Sequence, residues 1–173
     1  MKFLKIGTFA VATAVMALPA FADKTDVLYR HKSWMVEGVT FDDGTYACLA
    51  EVTDPGESFS IWAFPDKTIR LQFYSTEWDF GDSDTANLQV EIDRRSPWRL
   101  TGANLTQNSV LFDLPDEDSS VGFVVEVARG STLHLRTEDG SPIRDYTLSG
   151  SSASIQYLVD CGNAISGDRN PFN

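Results

Sequence analysis

Short runs in which apolar and polar residues alternate dominate the chain. From Thr68 to Tyr74, Ile69, Leu71 and Phe73 fall on one side while Arg70, Gln72 and Tyr74 fall on the other. A period of two is the mark of a half-buried β-strand. Leu88, Val90 and Ile92 repeat the pattern, and Trp34, Val36 and Gly38 open an earlier run. Tyr46 to Val52 follows the turn Asp42-Asp43-Gly44, and Phe59 to Phe64 is bracketed by Asp54-Pro55-Gly56 and Pro65-Asp66. Trp98 to Leu105 and Val110 to Leu114 are two further candidates. Thr132 to Arg136 and Ile143 to Leu148 flank Glu138-Asp139-Gly140-Ser141, a hairpin signal. Asp23 to Lys32 reads as a polar lead. Evenly spaced runs with turn residues between them predict a mainly β chain, an antiparallel β-sandwich or partly open barrel.

Two segments carry a helical period instead. In Ser119 to Arg129, Val121, Val124, Val125 and Ala128 share a side, acids 116 to 118 precede them and Gly130 follows. The β-branched content also fits a strand, but the flanking signals favour a short helix. The second segment is clearer. Ile155, Leu158, Cys161 and Ile165 form one stripe, Ser149-Gly150-Ser151 offers hydroxyls to cap its start, and Gly162 or Gly167 can end it. That C-terminal helix is expected to pack on the sheet with Cys161 turned inward.

The start of the chain has its own pattern. Lys2 and Lys5 precede an apolar run from Ile6 to Leu18, and Pro19 is followed by Ala20-Phe21-Ala22 ahead of Asp23. A basic end, a short apolar core and a small-x-small site make a secretory signal peptide over 1–22. The run is shorter than the roughly 20 residues a membrane span needs. The mature chain, beginning near Asp23, is expected to lack a membrane span and to form one β-rich domain over 23–166 with a frayed tail over 167–173. Export from the cell follows.

Of the chain's 14 basic residues two lie in the leader, whereas all 25 acids lie beyond it. Such an excess of carboxylates disfavours nucleic acid and anionic membranes, whose binding depends on Lys and Arg. It keeps an exported protein soluble and permits a basic partner. The two cysteines, Cys48 and Cys161, read as one disulfide in an oxidising compartment. Closing so long a loop contributes about 4–5 kcal/mol in the chain-entropy model.

Chemistry-bearing motifs are sparse. Only His31 and His134 offer imidazoles. The stretch from Gly150 to Ser154 lacks the second glycine of a nucleophile elbow, and Asp79-Phe80-Gly81 matches a kinase tripeptide without the motifs that accompany it. Asp113, Asp116, Glu117 and Asp118 lack the spacing of a calcium loop, and no carboxylate pair is selected for glycoside hydrolysis. Asn104-Leu105-Thr106 is a glycosylation sequon in form. No catalytic residue, metal ligand or cofactor is expected. Trp34, Trp62 and Trp98 fall in strands and read as core. Trp78 falls among acids, and Trp78, Asp79, Asp82 and Asp84 form a candidate recognition loop.

The stretch from Tyr146 to Cys161 resembles a C-terminal signature of small exported alphaproteobacterial proteins, S-L-x-G-S followed by A-x-x-x-L-x-x-C. Those proteins also begin with a Trp-bearing strand and a short C-x-A strand, matched here by Trp34 and by Cys48-Leu49-Ala50. A more distant similarity is to invasion-associated locus B proteins. The resemblance covers the two ends of the chain and implies a bacterial periplasmic or secreted β-rich domain with a Cys48–Cys161 bridge. It transfers no catalytic residue. The resulting expectation is a monomeric, non-enzymatic binding or accessory protein whose partner is an unidentified protein or cell-envelope component. The alternative is an inhibitor of a secreted or periplasmic hydrolase.

Overall fold

The computed structural model describes residues 22–167, with side chains described from residue 27 onward except at positions 82 and 83. The proposed signal peptide and the tail beyond Gly167 lie outside the described residues. Ten strands precede or flank two helices: β1 (Ala22–His31), β2 (Trp34–Phe41), β3 (Tyr46–Asp54), β4 (Glu57–Ala63), β5 (Ile69–Ser75), β6 (Phe80–Ile92), β7 (Trp98–Gln107), β8 (Ser109–Asp113), α1 (Glu117–Arg129), β9 (Thr132–Thr137), β10 (Pro142–Thr147) and α2 (Ser151–Ile165). All strands pair antiparallel in one open sheet of order β1-β2-β3-β4-β5-β8-β7-β6-β9-β10. The expected mainly β class, with a C-terminal helix and one further short helix, is therefore met by a single sheet that curls over its helices.

The alternation in sequence sets which face is buried. Trp34 and Val36, Cys48 and Ala50, Phe59 and Ile61, and Leu71 and Phe73 project from successive strands into one core. Leu88, Val90, Ile92, Leu133 and Leu135 join it from the other half of the sheet. Each Val, Leu, Ile or Phe among them, fully removed from water, contributes about 1.5–3 kcal/mol. The curl brings β10 over β4 and β5, so that the Tyr146 ring lies 5.8 Å from Phe59 and 5.9 Å from Phe73. It also brings the β1–β2 turn to the end of β10. There the Ser33 amide donates to the Ser149 carbonyl at 3.3 Å and Trp34 Nε1 donates to the Thr147 carbonyl at 3.1 Å.

The segment over 119–129 is helical because its start is capped. The Asp116 carboxylate accepts from the Ser119 amide at 2.7 Å, and Glu117 and Asp118 complement the helix dipole. Its buried stripe is Ser120, Phe123, Val124 and Val127, turned from the expected one. Phe123 sets the rotation by packing edge-on against Trp98, which leaves Val121 and Val125 exposed. α2 buries Ile155 and Leu158, and Cys161 bonds to Cys48 with Cα atoms 6.1 Å apart, joining the helix to β3. The serine caps expected for α2 are absent. Gly150 is the N-cap, without a side-chain cap bond, and the Ser151 hydroxyl donates instead to the Val127 carbonyl of α1 at 2.8 Å.

Two further expectations are corrected. The polar lead is strand β1, an edge strand whose register against β2 shifts twice. Such irregularity erases the alternation that would reveal it. The acidic segment after Trp78 is a loop only as far as Asp79. Phe80 already opens β6 and pairs with Gln107, and Asp84 pairs with Leu105, so Asp82 and Asp84 lie in strand backbone.

Candidate functional site

A strand that alternates builds two faces, and the second face of β2–β5 is not an ordinary solvent surface. β3 places Leu49 and Glu51 on it, β4 places Ser58, Ser60 and Trp62, and β5 places Gln72 and Tyr74. Register makes Leu49 face Trp62, Glu51 face Ser60, and Ser60 face Gln72. Together they line a groove of about 520 Å³. Glu51 is only 6% exposed there, and the Ser60 hydroxyl donates to its Oε2 at 3.3 Å. Keeping a carboxylate so nearly dry carries a desolvation cost that its bonding partners offset.

Neighbouring side chains fix the groove wall. Trp62 Nε1 donates to Gln72 Oε1 at 2.9 Å, and Gln72 Nε2 donates to the Ser109 hydroxyl at 3.0 Å. The indole lies almost parallel to Phe64, with centroids 6.1 Å apart, and 6.0 Å from Phe41. Arg70 sits 5.2 Å from the Phe64 centroid. It is tied to Asp113 by two bonds of 2.6 and 2.9 Å, which raise its pKa further. Trp62 is half-buried, with its orientation set on one side and its remaining surface open. The expectation that it belongs to the core fails because its position in β4 is out of phase with Phe59 and Ile61. Trp34 is buried as expected, and Trp98 is half-buried beneath α1.

At one end the groove reaches Asp54, Gly56 and Glu57 at the β3–β4 turn. Arg144 of β10 pairs there with Glu57 and, at 3.0 Å, with Glu77. The Tyr146 hydroxyl lies within electrostatic reach of Glu57 and Asp54. It is buried and has no hydrogen-bond partner among the described residues. Burial, reinforced by Glu57, pushes its pKa well above the usual tyrosine value.

The candidate recognition residues divide between the β5–β6 connection, with Trp78 and Asp79, and the start of β6, with Asp82 and Asp84. Trp78 is half-buried, packs 5.6 Å from Phe80 against the core, and receives a bond on its carbonyl from Asn108 Nδ2. Asp79 and Asp84 are exposed, and the Asp82 side chain lies outside the described residues. His134 pairs with Asp145 at 2.8 Å, and Arg136 reaches the same oxygen at 2.8 Å. Partial burial of Asp145 opposes its ionisation, but these two partners outweigh it and lower its pKa. A larger depression of about 810 Å³ at the start of α2 is lined by His31, Lys32 and serines 149, 151 and 152, without a buried carboxylate. No group of three or more His, Cys, Asp or Glu could hold a metal among the described residues. No helix among them is long and apolar enough to cross a membrane. Compared with known proteins, the chain matches no family model, no curated protein and no solved structure.

Proposed function

We propose that this chain is an exported, non-enzymatic binding or accessory protein that engages its partner through the groove on the outer face of β3–β5. The observation that carries the reading is Trp62, a half-buried indole held by Gln72, Phe64 and Phe41 in a groove that Tyr74 and Ser60 also line. Oriented aromatic rings beside a few fixed polar groups are the usual makings of a recognition surface. Export is supported by the leader-like start, by the resemblance of both chain ends to exported proteins, and by the Cys48–Cys161 bridge, which suits an oxidising compartment. The groove replaces the acidic segment after Trp78 as the candidate surface, because the Trp78 ring is committed to packing.

Affinity capture from periplasmic extract tests the reading with three baits: the wild-type protein, Trp62→Ala and Val121→Ala. A partner held by the wild type and by Val121→Ala but lost with Trp62→Ala supports the groove. Equal capture by all three, or loss only with the α1 variant, overturns it.

A further inference from the structure

The outer face of β2–β4 carries apolar residues that belong to no part of the main core. Val39 faces Ala47 across β2 and β3, and Leu49 faces Trp62 across β3 and β4. Val39, Ala47 and Leu49 are at most 1% exposed. None of them joins the core built from Val36, Cys48, Ala50 and Ile61, which project to the other side of the same strands. The helices do not supply the cover. Phe123 and Val127 of α1 and Ile155 and Leu158 of α2 are buried in the main core, and Cys161 ties α2 to the core side of β3. An apolar face this dry, with neither helix over it, needs a cover from elsewhere.

We infer that, while it remains attached, the leader lies across this face with its apolar run against Val39, Leu49 and Trp62. Position, length and chemistry select this occupant. Ala22 pairs with Phe41, so the chain before it departs beside Phe41, whose ring is 6.0 Å from Trp62 and 6.2 Å from Phe64. The 13 residues from Ile6 to Leu18 span about 20 Å as a helix. The outward positions of β2 run from Met35 to Phe41, also about 20 Å at the rise of a strand. No Asp, Glu, Lys or Arg occurs between Ile6 and Leu18, so the contact buries no charge of the leader's own. The chain beyond Gly167 offers one large apolar side chain, Phe172, which is too little to cover three positions. The groove proposed above shares Val39, Leu49 and Trp62 with this face. The functional consequence rests on that reading: the uncleaved chain has its binding surface occupied, and cleavage near Asp23 opens it.

The experiment is photo-crosslinking in the full oxidised chain, produced without export so that the leader is retained. p-Benzoylphenylalanine is placed at position 62 in one sample and at position 121, exposed on α1, in another. Crosslinks from position 62 into residues 6–18 of the same chain are expected, with none from position 121. Val11→Asp combined with Val15→Asp should abolish them, while near-ultraviolet circular dichroism shows the fold retained. A peptide of residues 1–21 added to the processed chain gives a second measurement that does not depend on folding of the full chain. It is expected to shift tryptophan emission, and Trp62→Ala to lose that shift. Absence of leader crosslinks in the folded full chain, or equal yield from both positions, overturns the inference. Crosslinks formed only between chains overturn it in favour of a second copy as the cover. Equal capture of one partner by the full and the processed chain, dependent on Trp62 in both, also overturns it. Crosslinks as expected with Trp62-independent capture support the cover and reject the binding site proposed above.

Discussion

The backbone of Gly150 runs so close to His31 that a β-carbon built on the glycine lies 2.3 Å from the His31 carbonyl oxygen. Gly150 also holds φ at 105°, outside the range L side chains adopt easily. Both constraints arise where α2 starts against the β1–β2 turn. Gly150→Ala is expected to cost about 2–4 kcal/mol. Gly140 shares a positive φ of 87° but has nothing within 4 Å of its built β-carbon. Gly140→Ala therefore meets the backbone penalty alone, about 1–2 kcal/mol. Equal midpoints for the two variants in urea would contradict the close approach.

The Cys48–Cys161 bridge spans 113 residues. Cys48→Ser and Cys161→Ser are each expected to lower unfolding free energy by about 2–5 kcal/mol, and the double variant no further. Thiol titration of the unreduced protein in denaturant should detect no free cysteine.

Stability is expected to fall in acid for an identifiable reason. Backbone amides of Ser131 and then Thr132 donate to the Asp93 carboxylate at 3.0 Å each and hold its pKa below the usual value. A group with a lowered folded pKa adds stability above its unfolded pKa of about 3.9, and that stability disappears as pH falls through the folded value. Asp43, Asp66, Asp116 and Asp139 are shifted the same way by amide or hydroxyl donors. Asp93→Asn retains an acceptor for both amides but cannot titrate. Its melting temperature should therefore drop less than the wild type's between pH 5 and pH 2.5; parallel curves would remove Asp93 from the acid response.

Trp78 and Trp62 offer a contrast in one assay. Trp78 packs against Phe80 and the core, so Trp78→Ala is expected to cost about 1–3 kcal/mol while leaving partner affinity unchanged. Trp62→Ala should show the reverse emphasis. Weaker binding by a fully stable Trp78→Ala would return recognition to the acidic segment.

Processing is checked most simply. Intact-mass measurement of protein recovered from the periplasm of a bacterial host is expected to place the N-terminus at or near Asp23. Recovery there of the uncleaved Lys2 end would argue against a removable leader.

The strands with clean alternation, such as Ile69, Leu71 and Phe73, were legible because one face meets a continuous core. α2 was legible through Ile155, Leu158 and Cys161. β1 was hidden by its polar composition and by the two register shifts that break its pairing with β2. The acidic start of β6 was hidden similarly, since a register shift between Phe80 and Asp84 coincides with residues that favour turns. The groove escaped for another reason. Glu51, Ser60 and Gln72 become one surface only through the pairing of three strands, and no local pattern specifies which residue will lie opposite which. A usable signal was the Trp62 phase: it falls between Phe59-Ile61-Ala63 positions and so belongs to the other face.

Two ties span the same length of chain. Trp34 bonds to Thr147 and Cys48 to Cys161, each pair 113 residues apart. A chain emerging from its N-terminus, whether from a ribosome or through a translocation pore, therefore cannot complete the sheet end around Trp34 until nearly everything has appeared. Closing such distant contacts is entropically slow. Until α2 arrives, the early strands lack the helix that covers them and the cysteine that secures them. The architecture thus postpones the locked state of the early strands until α2 has been made.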